Sequence, residues 1–474
     1  MVKCKPIIRE IAYQDPLLIF ARFAEEDNSV FLDSAGVNAC GEFSFIGIDP
    51  FDEISIRDCE DTLQPRHCEV AQRPWQSIVQ LLAPFQLELH PEYPSFQGGA
   101  IGFLSYELSQ HLEKLPEPKP DIVDYPQMHF GLYDLVIGFD HRKKQATIFS
   151  SGFPEEGANR ISRANARINW LLDKLSEPFS KPAVSNHVLP KEYIMQNFSK
   201  EEYEGAVSQV IEHILAGDIF EANISQRFQT YLPAEFKPFD IYQRLRQINP
   251  AAFSAFLRFD DLVLMSASPE RFLKLNGKFV ETRPIKGTRK RGKNAYEDKQ
   301  LIEELKNNPK DNSENIMIVD LLRNDLSKVC EDHSVQVKTL CGLETTAHVH
   351  HLVSVIHGTL RPECSGIDLL QATFPGGSIT GAPKIRAMEI IAEIEPHPRG
   401  PYCGNIGYIG FNGDMDFSIT IRTLVLKKDL LTFQVGGAIV ADSIPEQEYF
   451  ETLTKAHALF KTLTTSERRV QHEI

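Results

Sequence analysis

At 474 residues, with 42% hydrophobic and 24% charged side chains, the chain has the composition of a folded globular protein long enough to bury a large core. Its net charge of -15 repels phosphate backbones at long range and argues against a nucleic-acid partner. No run reaches the roughly 18 apolar residues of a membrane span, and MVKCKPIIREIAYQDP has no hydrophobic signal core, so no membrane role and a cytoplasmic location are expected.

In the first 150 residues, short apolar runs (SVFLDSAG, FSFIGIDP, GGAIGFLSYEL, FGLYDLVIGFD, QATIFSSG) alternate with Gly, Pro and Asp clusters and read as strands. Ile161, Ile168, Leu171 and Leu172 then repeat at helical spacing over residues 156–176. A polar, proline-containing tract follows, and the expected division is an amino-terminal subdomain over 1–180, a linker over 181–200 and a catalytic region over 201–465. Ser199 with Glu202 fits a capping box, and Val207, Val210, Ile211 and Ile214 stripe a helix ending near Gly217. EANISQRFQTYL alternates, with Glu221, Asn223, Ser225 and Arg227 on one side of a strand that is a candidate pocket wall. The eight cysteines show neither a C-x-x-C pair nor zinc-ligand spacing and read as reduced thiols.

Residues 281–294, ETRPIKGTRKRGKN, are basic within an acidic chain, and read either as a solvated loop or as a setting for one reactive lysine, Lys286. An ordinary lysine, with a pKa of about 10.4, is a poor nucleophile near neutrality unless burial or neighbouring cations lower that value. SENIMIVDLLRNDL predicts a helix carrying Glu314, with Ile316, Val319 and Leu322 inward. GGSITGAPK lacks the Gly-Lys-Ser/Thr ending of a nucleotide loop. It reads as a turn into the helix PKIRAMEIIAEI with Pro383 in its first turn, either a plain helix start or a carboxylate site. In EQEYFETLTKAHALF, Glu448, Glu451 and Lys455 share one helical face, either as a solvated ion-pair face or, with Glu314, as the protein's share of a magnesium site.

Nine ordered blocks between about residues 200 and 465 together resemble the chorismate-utilising enzymes: GDIFEANISQRF, ASPERFL, RPIKGTRKRG, SENIMIVDLLRNDL, HHLVSVIHGTL, FPGGSITGAPKIRAME, CGNIGY, ITIRTL and ADSIPEQEYFETLTKA. FLDSAG and GGAIGFLSYEL extend the likeness more weakly toward the amino terminus. The resemblance implies an α/β (α+β) body of face-to-face antiparallel sheets flanked by helices, with its active site in a cleft of the carboxy-terminal part. Anthranilate- and isochorismate-forming members usually carry Ala where this chain has Lys286, and a lysine there resembles the aminodeoxychorismate synthase branch; the alternative is an anthranilate synthase large component.

What the resemblance implies for the site can be stated residue by residue. Lys286 would be the nucleophile toward chorismate, and Glu270 the general acid beside the departing hydroxyl. Glu314 and Glu451, with Glu448 alongside, would hold Mg2+. His351, Thr288, Ser378 and Thr380 would line the substrate ring, while Tyr408, Arg422 and Lys455 would grip its carboxylates and Gly436, Gly437 and Ala438 would offer backbone N–H groups. Glu221 departs from the family pattern, which has Gln in amine-forming and Lys in water-adding members; Ala438 stands where glycine is expected. FLDSAG reads as a strand and turn or, by the same likeness, as part of a tryptophan pocket that includes Ser34. No cysteine sits in a G-x-C-x-G elbow, so a separate glutamine amidotransferase would supply the ammonia.

Overall fold

The computed structural model describes residues 4–36, 40–57, 74–179, 184–185, 187–346 and 349–465. Cys59, Cys68 and part of the expected linker lie outside them. Two large antiparallel sheets form the body. The twelve-stranded sheet runs in the order Ile7–Ile11, Gln145–Ser150, Leu135–Asp140, Phe43–Gly47, Val30–Asp33, Phe253–Phe259, Leu262–Ser268, Thr423–Lys427, Leu430–Ile439, Glu221–Tyr231 and Gly381–Ala382, with Met195–Gln196 beside Glu221–Tyr231. The ten-stranded sheet runs Ile285–Lys290, Val349–Thr359, Phe279–Arg283, Arg271–Asn276, Met415–Ile419, Asn405–Gly410, Gly99–Leu104, Met128–Tyr133 and Asp52–Ile56, with Gln336–Thr345 also paired to Val349–Thr359. Both sheets therefore draw strands from either side of residues 181–200.

The apolar runs become fully buried strands because each sheet is covered on both faces. Phe45, Ile101, Phe103, Tyr133, Leu257, Leu264 and Ile406 bring the two sheets together in one core. Helices cover the outer faces: Gly157–Ser176, Pro238–Ile248 and Pro445–Thr464 on the larger sheet, Pro309–Ser327 and Gly366–Thr373 on the smaller. The run FGLYDLVIGFD divides at Asp134, its first part closing a strand of the smaller sheet and its second forming one of the larger. Asp134 is fully buried, with Arg167 at 3.1 Å and Arg163 at 3.5 Å from its carboxylate.

The helix Lys200–Leu215 starts at the expected capping box, Ser199 accepting from the Glu202 N–H and Glu202 from the Ser199 N–H. Two local expectations change. The basic run is an edge strand, Ile285–Lys290, rather than a loop, and it bulges at Gly287, where φ is +76°. Three of its flanking cations are paired nearby, Arg283 with Glu344, Arg289 with Glu304 and Asp311, and Arg291 with Asp298. In Pro309–Ser327 the buried arc is Glu314, Asn315, Ile318, Val319 and Leu322, while Ile316 is 46% exposed because its position falls outside that arc. No helix among the described residues is long and apolar enough to cross a membrane.

Candidate active site

Lys286 projects from the edge strand into the body and is buried. Its Nζ donates to Glu221 Oε1 at 2.8 Å and lies 3.8 Å from Glu314 Oε2. Three separate elements meet there: the edge strand of the smaller sheet, the first residue of Glu221–Tyr231 in the larger, and the helix Pro309–Ser327. Burial alone would lower the lysine's pKa, but the Glu221 and Glu314 carboxylates outweigh it and hold the ammonium above its ordinary value. This reverses the expected setting: the neighbours of Lys286 are anions that keep it charged, not cations that discharge it.

Glu270 stands at the turn between Leu262–Ser268 and Arg271–Asn276 and accepts the Ser378 hydroxyl proton at 2.6 Å. Burial pushes its carboxyl up to about 7, while Ser378, Lys286 and Arg422 pull the other way. Glu314 is likewise raised to about 7 by burial, opposed by Lys286. Two carboxyls able to carry a proton near neutrality thus border one ammonium.

His351 Nδ1 is 2.9 Å from Thr288 Oγ1. Burial, reinforced by Arg422, lowers its pKa to about 4 and keeps the ring neutral. His351, Arg422 and Ile285 line a cavity of about 70 Å³, and burial works against the Arg422 charge while Glu270 supports it. Ser378 and Thr380 sit in the glycine-rich turn, but the Thr380 hydroxyl is turned back onto Gly376 O at 3.1 Å. The turn continues as the short strand Gly381–Ala382 beside Glu221, and Pro383 precedes the helix Lys384–Ile394 instead of lying in its first turn. Lys384 is spent within the fold, donating to Asp325 at 2.6 Å and to two backbone carbonyls.

On the helix Pro445–Thr464, Glu448 is buried and accepts from Lys310 at 3.0 Å and Ser443 at 2.7 Å, whereas Glu451 and Lys455 are half-exposed and 2.8 Å apart. Lys455 also donates to Gly436 O at 2.9 Å. Gly437 faces these side chains: a Cβ there would lie 3.4 Å from Glu448 Oε2 and 3.6 Å from Glu451 Oε1. Ala438 is paired with Asn223 in the neighbouring strand. Lys310 lies in the field of Glu448, Glu314 and Glu451 together, which relates the three acids to one region.

Among the described residues no three acidic, histidine or cysteine side chains converge into a metal centre by themselves. Magnesium asks less of a protein, one or two carboxylates with substrate and water oxygens completing the octahedron. The buried Glu448 Oε2, which no donor among the described residues reaches, and the hard oxygen donor set fit that requirement.

Tyr408 is not brought to this region. It shares a strand face with Ile406, so it enters the core between the sheets, packing on Phe96 and Phe45 with its hydroxyl 3.1 Å from Ser95 Oγ. There it lines a second cavity, of about 280 Å³, together with Ser34 and Phe43. The Ser34 hydroxyl donates to Phe43 O at 2.6 Å. Sequence reasoning missed Lys310, whose only signal was its position one helical turn before Glu314, and the buried Arg399–Glu395 pair, which supports the Glu221 strand from behind.

The model of the chorismate binding enzymes matches residues 27–461. The chain is 38% identical to anthranilate synthase component 1 of Thermus thermophilus, over 96% of either chain. It is 34% identical to aminodeoxychorismate synthase component 1 of Bacillus subtilis, over 99% of this chain and 100% of that one. Among solved structures, anthranilate synthase component I from Streptococcus pneumoniae superposes with a TM-score of 0.79 at 33% identity, covering 89% of this chain and 93% of that chain. The menaquinone-specific isochorismate synthase of Escherichia coli, at 17% identity, shares the fold with a TM-score of 0.72, covering 98% and 96%. The chain belongs to the chorismate binding enzyme family.

Proposed function

We propose that the protein converts chorismate and ammonia to 4-amino-4-deoxychorismate, with Lys286 as a covalent nucleophile. The observation that carries this reading is a buried amine with two carboxylates beside it, at the position where the family's anthranilate- and isochorismate-forming members usually have alanine. Lys286 must shed a proton before it attacks, and Glu221 at 2.8 Å is the acceptor within hydrogen-bond reach. Its nitrogen bonds to ring carbon 2 as the bond to the 4-hydroxyl breaks, and Glu270, held protonated by burial, gives that leaving oxygen its proton. Ammonia then bonds at carbon 4 and the lysine departs.

Arg422 and Lys455 would hold the substrate's carboxylates, with His351, Thr288 and Ser378 along the ring and the Gly436, Gly437 and Ala438 backbone nearby. Glu314 and Glu451, with Glu448 alongside, would hold Mg2+, which when bound supplies positive charge for the ring carboxylate. A separate glutamine amidotransferase would deliver ammonia in the cytoplasm. Ser34 and the 280 Å³ cavity it lines would hold tryptophan.

The test is turnover of chorismate with magnesium and ammonium chloride, products separated chromatographically. We expect 4-amino-4-deoxychorismate, a mass adduct on a Lys286 peptide, and loss of both in Lys286→Ala. Full turnover with Lys286 unmodified would defeat the covalent step. The similarity to the T. thermophilus anthranilate synthase component supports a second reading, and fluorescent anthranilate formed from ammonium would establish it.

A further inference from the structure

Lys286 lies on an edge strand, Ile285–Lys290, whose ladder among the described residues runs to Val349–Thr359 alone. Its inward aim depends on a bulge. Lys286 pairs with Leu352 and Thr288 with His351, so Gly287 is an extra residue, and its φ of +76° is one that residues with a side chain rarely adopt. A slip of register by one residue turns every side chain to the opposite face, and here it would withdraw the amine from Glu221 and Glu314.

What fixes the bulge comes from outside the sheet. Asp311, in the first turn of the helix Pro309–Ser327, packs on Gly287, where an added Cβ would lie 3.0 Å from Asp311 Cγ and 3.0 Å from Leu305 Cδ1. Arg289, two residues beyond the bulge, meets the same Asp311 at 3.2 Å and donates to Thr288 O at 3.1 Å. Arg289 also reaches Glu304 at 2.8 Å, but the Glu304 side chain is 57% exposed, against 18% for Asp311, and an exposed pair contributes little. Asp311 stands three residues before Glu314 on one helical face. A single ion pair thus fastens the strand of the amine to the helix that carries one of its carboxylate neighbours.

We propose that Arg289 and Asp311 are a positioning pair: by clamping the Gly287 bulge to the helix, they set the reach of Lys286 between Glu221 and Glu314. The inference rests on the reading above that Lys286 attacks the substrate, whereas the clamp itself can be read without turnover.

The experiment compares wild type with Arg289→Met, Arg289→Lys, Asp311→Leu, the double variant Arg289→Met/Asp311→Leu, Gly287→Ala and Glu304→Gln. Acetylation of Lys286 by acetic anhydride is followed by mass spectrometry on the folded full chain, beside steady-state kinetics with chorismate, magnesium and ammonium chloride. Arg289→Met and Asp311→Leu should each lower kcat roughly 10- to 100-fold, the penalty of a misplaced reacting group, while the chorismate KM and magnesium half-saturation move far less. In both, Lys286 should be acetylated several-fold faster than in wild type. The double variant should be no worse than either single one, because the two residues act through each other. Arg289→Lys should recover part of the loss, and Glu304→Gln should behave as wild type. Gly287→Ala, which leaves the ion pair intact, should reproduce both effects. Additive losses, wild-type acetylation in both single variants, or a shift confined to magnesium half-saturation would overturn the assignment. If wild type turns over without a Lys286 adduct, the proposed function fails while acetylation still reads the clamp. If wild type forms the adduct and the variants match it in rate and labelling, only the clamp fails.

Discussion

The strand Glu221–Tyr231 leads at Ser225 into one buried charge cluster and at Glu221 into another. Around Ser225, Arg399 Nε and Nη2 engage both oxygens of Glu395 at 2.9 and 2.7 Å, and its Nη1 and Nη2 also reach Ile379 O and Asn223 O. The Ser225 N–H and hydroxyl complete Glu395. Every polar atom of that pair is occupied. Around Glu221, by contrast, one buried amine serves two carboxylates, and among the described residues no donor reaches the outer oxygen of Glu221 or that of Glu448. A saturated cluster fixes geometry; an unsaturated one of the same burial keeps hydrogen-bonding capacity for a molecule from outside.

Breaking the saturated cluster should have the largest effect. Arg399→Met strands Glu395 in the interior and should cost about 3–5 kcal/mol in urea unfolding, with activity falling because the backbone of Asn223 and Ile379 loses its tie. At the unsaturated cluster, Glu270→Gln should lower kcat roughly 100-fold or more while the chorismate KM changes little.

The pH profile sharpens the same contrast. In the proposed reaction Glu270 would serve as an acid only while protonated, so turnover should fall as pH rises through about 7, and Glu270→Gln should abolish that limb. The folded state also keeps a proton that the unfolded chain releases between 4.5 and about 7, so this group lowers stability as pH climbs through that window. The smallest effect belongs to the half-exposed Glu451–Lys455 pair, four residues apart on one helix. Lys455→Met should change stability by about 0.3–0.5 kcal/mol at most, read from the unfolding midpoint.

The strands of the two sheets were legible because burial on both faces leaves long apolar runs between turn residues, and the capping box at Ser199 marked its helix directly. Such patterns do not say which sheet a strand joins: FGLYDLVIGFD reads as one run, and only the buried Asp134 betrays the crossing. Hydropathy also misjudged Pro309–Ser327, whose inward arc contains Glu314, Asn315 and Asp325, polar residues that no apolar stripe can announce. The acids and Lys286 were recognisable one at a time by resemblance. Their proximity was not, since it depends on three distant segments meeting, and the anionic surroundings of Lys286 are a property of that meeting. Tyr408 shows the converse: its motif suggested substrate contact, but strand alternation put it in the core with Ile406.

The sharing of both sheets between early and late parts of the chain sets a schedule for biosynthesis. Val30–Asp33 finds one of its neighbours only when Phe253–Phe259 has been made, and Gly99–Leu104 waits for Asn405–Gly410. Until then these apolar strands carry open edges on a ribosome-bound fragment, the condition under which nascent chains pair with the wrong partner and rely on chaperones. Such distant pairings also make for slow folding, because much chain entropy is lost before the contacts that reward it can form.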